Sequence, residues 1–289
     1  MSQETGIRLV AAIQKQTEKI TYFCTAENVS SNVAVHEIRK CFKRIRALLR
    51  FYRDSPNNFS VFYNHEFQKA GNLLSPVRES FVNIQIFDRI TSGDEHIQER
   101  KIKLARELFQ EKNRLRTEIL VEENDGFNAI QNLVQKLDVQ LETNPEYVTS
   151  RHICSEMCNS YSSGYKLYNQ IEQISDGNEL HELRIKMKRL WYQIDFAQFF
   201  HPRFFRLKSN QLNTITELQG EDHDLYIFLQ EIKSGIFEFG PDELLVLENL
   251  VEHQRELNQV KLIPRLKQFF NETPEEFNLK MEKIFKVSV

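Results

Sequence analysis

An all-α chain built from two related halves is the fold class this sequence predicts. Glycine and proline are scarce, at 9 and 7 in 289 residues, and no run of short strands bounded by tight turns interrupts the helical periodicity. One helical signature is also written twice. His36-Glu37-Ile38-Arg39 followed by Lys43-Arg44 returns 145 residues later as His181-Glu182-Leu183-Arg184 followed by Lys188-Arg189. That offset divides the chain into repeats at 1–145 and 146–289. No Gly/Ser-rich linker or low-complexity stretch separates them, so they are expected to pack as two helical bundles within a single domain, 1–289. A hydrophobic content of 40% is enough to give such a domain a core.

The elements follow from periodicity and punctuation. An amphipathic helix is expected over 7–27, and Ser30 or Ser31 with Asn32 caps the next, over 33–53. That second helix carries the first signature and is stopped by Asp54-Ser55-Pro56-Asn57-Asn58. Helices over 59–70, 77–90, 96–120 and 126–141 bring the first half to six segments. Thr143-Asn144-Pro145-Glu146 breaks the pattern, and a helix over 151–174 then holds the place of the first one. Ser175-Asp176-Gly177-Asn178 precedes the second signature helix, which ends at His201-Pro202. Helices over 204–218, 223–236, 242–263 and 274–285 complete the chain, with Pro264 kinking or splitting the third of these.

Composition excludes several classes. The net charge of -3 does not itself identify or exclude a polyanion partner, because a basic stripe can be offset elsewhere; distribution decides. Cys24, Cys41, Cys154 and Cys158 form no C-x-x-C pair and read as reduced, mostly buried thiols. No basic segment followed by an apolar stretch opens the sequence, and no run reaches about 18 apolar residues, so a cytoplasmic protein without membrane contact is expected. Glu221-Asp222-His223-Asp224 contains metal-ligand residue types, but neighbours on a helix point about 100° apart. The run reads as an N-cap and helix-dipole partner, with no metal or cofactor expected. Asp94-Glu95 and Glu122-Glu123-Asn124-Asp125 read as loop or capping charges. P-loop, dinucleotide-turn, HExxH and Ser/His/Asp patterns are absent, so catalysis has no foothold.

The signature helix divides sharply. Stepping about 100° per residue from His36 places Arg39, Lys40, Lys43, Ala47 and Arg50 on one stripe, flanked by Arg44 and Arg46. Ile38, Cys41, Phe42, Ile45, Leu48, Leu49 and Tyr52 fall opposite, where a core requires them. In the second copy His181, Arg184 and Lys188 share a stripe with Arg189 at its margin, and Leu183, Leu190 and Ile194 form the apolar side. Like charges at i, i+4 repel, so the stripe needs an anion or carboxylate over it. An isolated charge run is usually a solvated face, but duplication at fixed spacing favours a binding role. Arg grips phosphate oxygens with a planar fork and Lys adds compact charge. His36 and His181 fit equally as phosphate-binding groups that charge as pH falls, or as buried hydrogen-bonding posts between the halves. A second basic run, Lys101, Lys103, Arg106, Lys112, Arg114 and Arg116, alternates with glutamates and reads as a salt-bridged exposed helix. Phe204-Phe205 and Phe269-Phe270 read as packing, not as base-stacking platforms.

At these residues the sequence resembles the CHAD family, the conserved-histidine α-helical domain. Ser75-Pro76-Val77-Arg78-Glu79 is similar to the family's Gly-x-x-Arg-Asp element, and Gly220-Glu221-Asp222-His223-Asp224 to its Gly-x-x-Asn-Asp counterpart. Ser75, Glu79 and His223 depart from those patterns, and the departures read as changes at helix junctions more than at a ligand site. The resemblance covers nearly the whole chain. It implies two pseudo-two-fold-related bundles in one compact domain, with basic helices lining a central groove that binds inorganic polyphosphate without catalysis. The implied binding set is His36, Arg39, Lys43, Arg44, His181, Arg184, Lys188 and Arg189; the charge pattern adds Lys40, Arg46, Arg50 and Lys186. Trp191, Tyr192 and Asp195 stand where the first copy has Arg46, Ala47 and Arg50, so the second side is less cationic, and Asp195 is available to a first-half arginine. Partners implied are polyphosphate or another polyanion and proteins of polyphosphate granules. Two other classes compete: a scaffold for an acidic protein segment or nucleic acid, and a metal-dependent phosphoryl-transfer enzyme.

Overall fold

The computed structural model describes residues 2–55, 58–92, 99–123, 125–142, 147–171, 177–237 and 239–286. Within them run ten α-helices: α1 (Ser2–Thr25), α2 (Ser31–Leu49), α3 (Phe59–Thr91), α4 (Glu99–Glu118), α5 (Gly126–Glu142), α6 (Ser150–Gln170), α7 (Gly177–Phe196), α8 (Pro202–Ile232), α9 (Pro241–Phe269) and α10 (Pro274–Phe285). Among the described residues no helix is long and apolar enough to cross a membrane. Pro56-Asn57, Asp94-Glu95, Asn124, Thr143-Asn144-Pro145-Glu146 and Ser175-Asp176, on which breaks or capping charges were expected, lie outside the described residues.

The neighbour pattern repeats. α2 packs between α1 and α3, α4 on α3 and α5 on α1; likewise α7 packs between α6 and α8, α9 on α8 and α10 on α6. The two signature helices, α2 and α7, touch each other directly. Every residue expected on their apolar sides is buried: Ile38, Cys41, Phe42, Ile45, Leu48, Leu49 and Tyr52, with Leu183, Leu190 and Ile194. Phe205, Phe269 and Phe270 join the same core, and Cys41, Cys154 and Cys158 are buried thiols, with Cys24 partly so.

Two expected breaks are not there. α3 runs unbroken through Pro76, where segments 59–70 and 77–90 had been expected. Proline removes an amide donor and opens the helix behind it, but side chains bond the carbonyls around this one. Gly71 O accepts from Arg39 Nη1 and from Ser75 Oγ (3.1 Å); Pro76 O accepts from Ser80 Oγ (2.9 Å) and Arg116 Nη1 (3.0 Å). α8 likewise passes through Gly220, joining 204–218 to 223–236. Glu221-Asp222-His223-Asp224 therefore lies inside a helix, not at an N-cap, which corrects that expectation. Among the described residues the first half holds five α-helices where six segments had been expected, and α9 continues through Pro264. Ser30 occupies the α2 N-cap without a side-chain cap bond.

Asn32 instead ties α2 to its neighbours. The Asn32 and Asn113 amides bond each other reciprocally at 3.0 and 3.1 Å. Asn113 Nδ2 also reaches the Val77 carbonyl (3.1 Å) and Ser80 Oγ (2.9 Å) on α3. The basic run of α4 is salt-bridged as expected: Lys101 to Glu243 (2.6 Å), Arg106 to Asp88 (3.0 Å), Lys112 to Glu231, and Arg114 to Glu111 (2.7 Å) and Glu118.

Apolar packing divides into two clusters. The larger joins α1, α2, α5, α6, α7 and α10 with the first parts of α3 and α8 and the end of α9; the smaller unites the ends of α3 and α8 with α4 and the first part of α9 around Phe87, Phe109 and Phe228. Along α3 the chain passes from Val77 in one cluster to Ile86 in the other, and along α8 from Ile215 to Leu225. The intervening polar turns carry the candidate site.

Asn113→Ala is expected to cost about 1–3 kcal/mol of folding stability, because buried partners lose their hydrogen bonds. Leu115→Ala, at a side chain 46% exposed on the same helix, should cost no more than about 0.5 kcal/mol. Equal urea midpoints for the two variants would contradict the role given to Asn113.

Candidate functional site

Where α2 crosses α7, the polar turns of α3 and α8 close a cleft of about 190 Å³. On the scale of about 30 Å³ per liquid water, that admits a small oxyanion or a short segment of a longer one. His36, Arg39, Lys40 and Lys43 line it from α2, Arg78, Glu79, Val82 and Asn83 from α3, His181 and Arg184 from α7, and His223, Asp224 and Ile227 from α8. Six residues of the expected binding set thus come together. The other six stand elsewhere.

Their partners explain why. Arg44 pairs with Asp195 at 3.5 Å and lies 5.2 Å over the Tyr192 ring, the cross-half pairing that the sequence made available. Arg50 pairs with the buried Glu156. Arg46 reaches Asn64 (3.4 Å) and Gln68 (3.1 Å), and Lys188 sits 4.2 Å over Trp191. Burial, then Arg50, then Glu156 with an opposing effect, then Arg46 leave Arg189 at about 10. Lys186 is also lowered, by burial, Arg189 and Arg50. Arg46, Arg50, Lys186 and Arg189 therefore form a second cationic group, and Arg46 shares a small hollow with Arg39 and Lys43, which also line the cleft.

Within the cleft the cations divide again. Lys40 is held by Glu37 at 2.8 Å. Arg39 is spent on α3, bonding Ser75 Oγ at 2.6 Å and the Gly71 carbonyl, so Ser75 is an anchor for a site residue and not a helix-junction change. Among the described residues Lys43, Arg78 and Arg184 have no carboxylate within 4.0 Å and no hydrogen-bond acceptor. Arg184 Nε is shielded and unpartnered. Gly220 explains its placement: a Cβ there would lie 2.9 Å from Arg184 Nη2, so the glycine gives the guanidinium room.

Like charges packed this closely shift one another. Lys43 keeps access to the water of the cleft, but the protein around it, followed by Arg184, Arg39 and Lys188, holds its amine down to about 7. Burial and then Arg78 hold His36 at about 4. His181 stacks on His223, ring centroids 3.9 Å apart and 28° between planes, and burial followed by that neighbour lowers His223 to about 3. Burial and then Arg184 also lower His181. The histidines are thus half-buried walls of the cleft whose cationic forms are disfavoured by burial and by the cations beside them, which weighs against the reading in which they charge as pH falls. Among the described residues no group of three or more His, Cys, Asp or Glu is placed to hold a metal ion.

Arg78, Glu79, His223 and Asp224 belong to the site although the binding set omitted them. Their signal was present: Arg78 and His223 are 145 apart, as are Glu79 and Asp224, the same offset as the signatures. An expected helix junction at each element hid it, because residues beside a break need not face a groove.

Residues 11–233 match the family model of the CHAD domain. The crystal structure of the CHAD domain from the plant Ricinus communis resembles this chain with a TM-score of 0.58 at 15% sequence identity, covering 98% of this chain and 92% of that chain. At that identity the likeness establishes the fold. A comparison with curated proteins returned no match.

Anion affinity should fall as pH rises through about 7, because Lys43 is charged below that value and neutral above it. Lys43→Arg, which does not titrate in this range, should flatten that dependence. Binding of tripolyphosphate followed by calorimetry from pH 6 to 9 checks it; an unchanged profile in Lys43→Arg would contradict the assignment.

Proposed function

This chain belongs to the CHAD family, and on that premise we propose that it binds inorganic polyphosphate, without catalysis, in the cleft between α2, α3, α7 and α8. The observation that carries the reading is the meeting of Lys43, Arg78 and Arg184, from three helices, with no carboxylate within 4.0 Å among the described residues. Cations held together with Asp224 and Glu79 nearby but no carboxylate in ion-pair contact favour a multiply charged ligand, which replaces their repulsion by charge-assisted hydrogen bonds. The guanidinium forks suit phosphoryl oxygens, and the hollow from Lys43 toward Arg46 gives a longer chain a continuation past the cleft. The first half supplies more of the attraction: of the three cations unpaired among the described residues, Lys43 and Arg78 come from it and Arg184 from the second half.

The two sides also support a pseudo-two-fold relation between 1–145 and 146–289, since both signatures and both second elements meet at one cleft. Recruiting the chain, or a partner, to polyphosphate-rich bodies in the cytoplasm is the cellular role that goes with this reading. An acidic protein segment or an RNA would have to place its charges in the same confined space, and competition separates them from polyphosphate.

Lys43→Glu should weaken polyphosphate binding by roughly ten-fold or more and reduce its salt dependence by about one contact. Lys267→Glu, on the exposed side of α9, should leave both unchanged. Titration of polyphosphate chains at several salt concentrations reads both; equal binding by the wild type and Lys43→Glu would sink the proposal, and displacement by stoichiometric RNA would favour the nucleic-acid reading.

A further inference from the structure

Asp224 is an unexpected member of a site for anions. It lines the cleft beside Lys43 of α2, Arg78 of α3 and Arg184 of α7, and all three act on it electrostatically. Among the described residues it nevertheless makes no hydrogen bond and no ion pair within 4.0 Å. One helical turn separates it from Gly220, so the face of α8 that makes room for Arg184 is the face that presents this carboxylate.

An ionised carboxylate only accepts hydrogen bonds. Toward a fully deprotonated oxyanion it is repulsive; toward one that brings its own proton it is a partner. Glu79 and the neighbouring Glu221 add negative charge near it, while burial and nearby cations disfavour the charged forms of His36, His181 and His223. Burial raises the Asp224 pKa ahead of the opposing effects of Arg184, Arg78 and Lys43, which strengthens it as an acceptor for an O–H proton.

We propose that Asp224 is a specificity-determining residue: it accepts a hydrogen bond from a phosphoryl O–H while Lys43, Arg78 and Arg184 engage the deprotonated oxygens of the same group. The cleft then prefers phosphate groups that retain a proton, namely inorganic phosphate or the end group of a chain, over fully deprotonated oxyanions and over the interior groups of a chain. This inference rests on the anion-binding reading above and narrows it to chain ends.

The test uses the whole chain with tripolyphosphate bound, displaced by inorganic phosphate or by sulfate at about pH 8, where both competitors are mainly dianions and phosphate alone carries an O–H. The wild type should favour phosphate by at least about ten-fold, the scale of one charge-assisted hydrogen bond. Asp224→Asn should bring the ratio close to one, chiefly by gaining sulfate affinity. Phosphate displacing no more readily than sulfate from the wild type overturns the proposal, and that arm does not depend on any variant folding. A ratio unchanged in Asp224→Asn, with both anions tighter, would make Asp224 a charge-balancing group only and also overturns it. Absence of tripolyphosphate binding to the wild type defeats the anion-site reading itself, whereas binding that depends on Lys43 but ignores the O–H defeats only the role of Asp224.

Discussion

Repulsion among cations at the contact of α2 and α7 is what the rest of this structure has to offset. Arg184, Arg39 and Lys188 all depress the Lys43 amine, and helices carrying such stripes would separate if electrostatics alone acted. Their other faces hold them. Ile38, Phe42, Ile45 and Leu49 on α2 enter the same buried cluster as Leu183, Met187, Leu190 and Ile194 on α7, and each such side chain contributes about 1.5–3 kcal/mol when removed from water. Outer cations are met locally, Lys40 by Glu37, Arg44 by Asp195 and Arg50 by Glu156. Cations without an ion-pair partner within 4.0 Å, among the described residues, are thereby concentrated at the centre beside Asp224.

The long helices complete this arrangement. α3 and α8 each join two apolar clusters, and a polar interval between them would ordinarily weaken a helix interior. Here each interval spans the cleft, and both local irregularities serve it. The Gly71 carbonyl, in the turn before Pro76, fixes Arg39, and Gly220 clears space for Arg184. Rigid helices anchored in apolar packing at both ends hold the site residues more firmly than loops would.

Much of this was legible in the sequence, and the failures have physical causes. Binary patterning gave the apolar sides of α2 and α7, because a signature helix with one apolar side has only one way to pack; Ala47, expected on the polar stripe, is instead buried where α2 meets α7. The pairing of Arg44 with Asp195 was visible as an acidic residue opposite a basic stripe. Helix continuity was not, since propensity treats Pro76 and Gly220 as stops and cannot count the side chains that bond the carbonyls near one or the guanidinium that needs the other. Arg78, Glu79, His223 and Asp224 were lost with those helices. The charge of His36 and His181 was also out of reach, because it depends on burial and on Arg78, Arg184 and Lys43 gathered from other helices.

The central claim is that Lys43, Arg78 and Arg184, which lack an ion-pair partner within 4.0 Å among the described residues, form with the neighbouring Asp224 a single anion site at the meeting of α2, α3, α7 and α8. A crystal structure of the protein grown with tripolyphosphate tests it most directly. The account predicts a phosphoryl group bridging Lys43, Arg78 and Arg184, with its chain directed toward Arg46. Occupancy confined to the Arg50 and Arg189 group or to the salt-bridged face of α4, with the cleft holding only water, would contradict it.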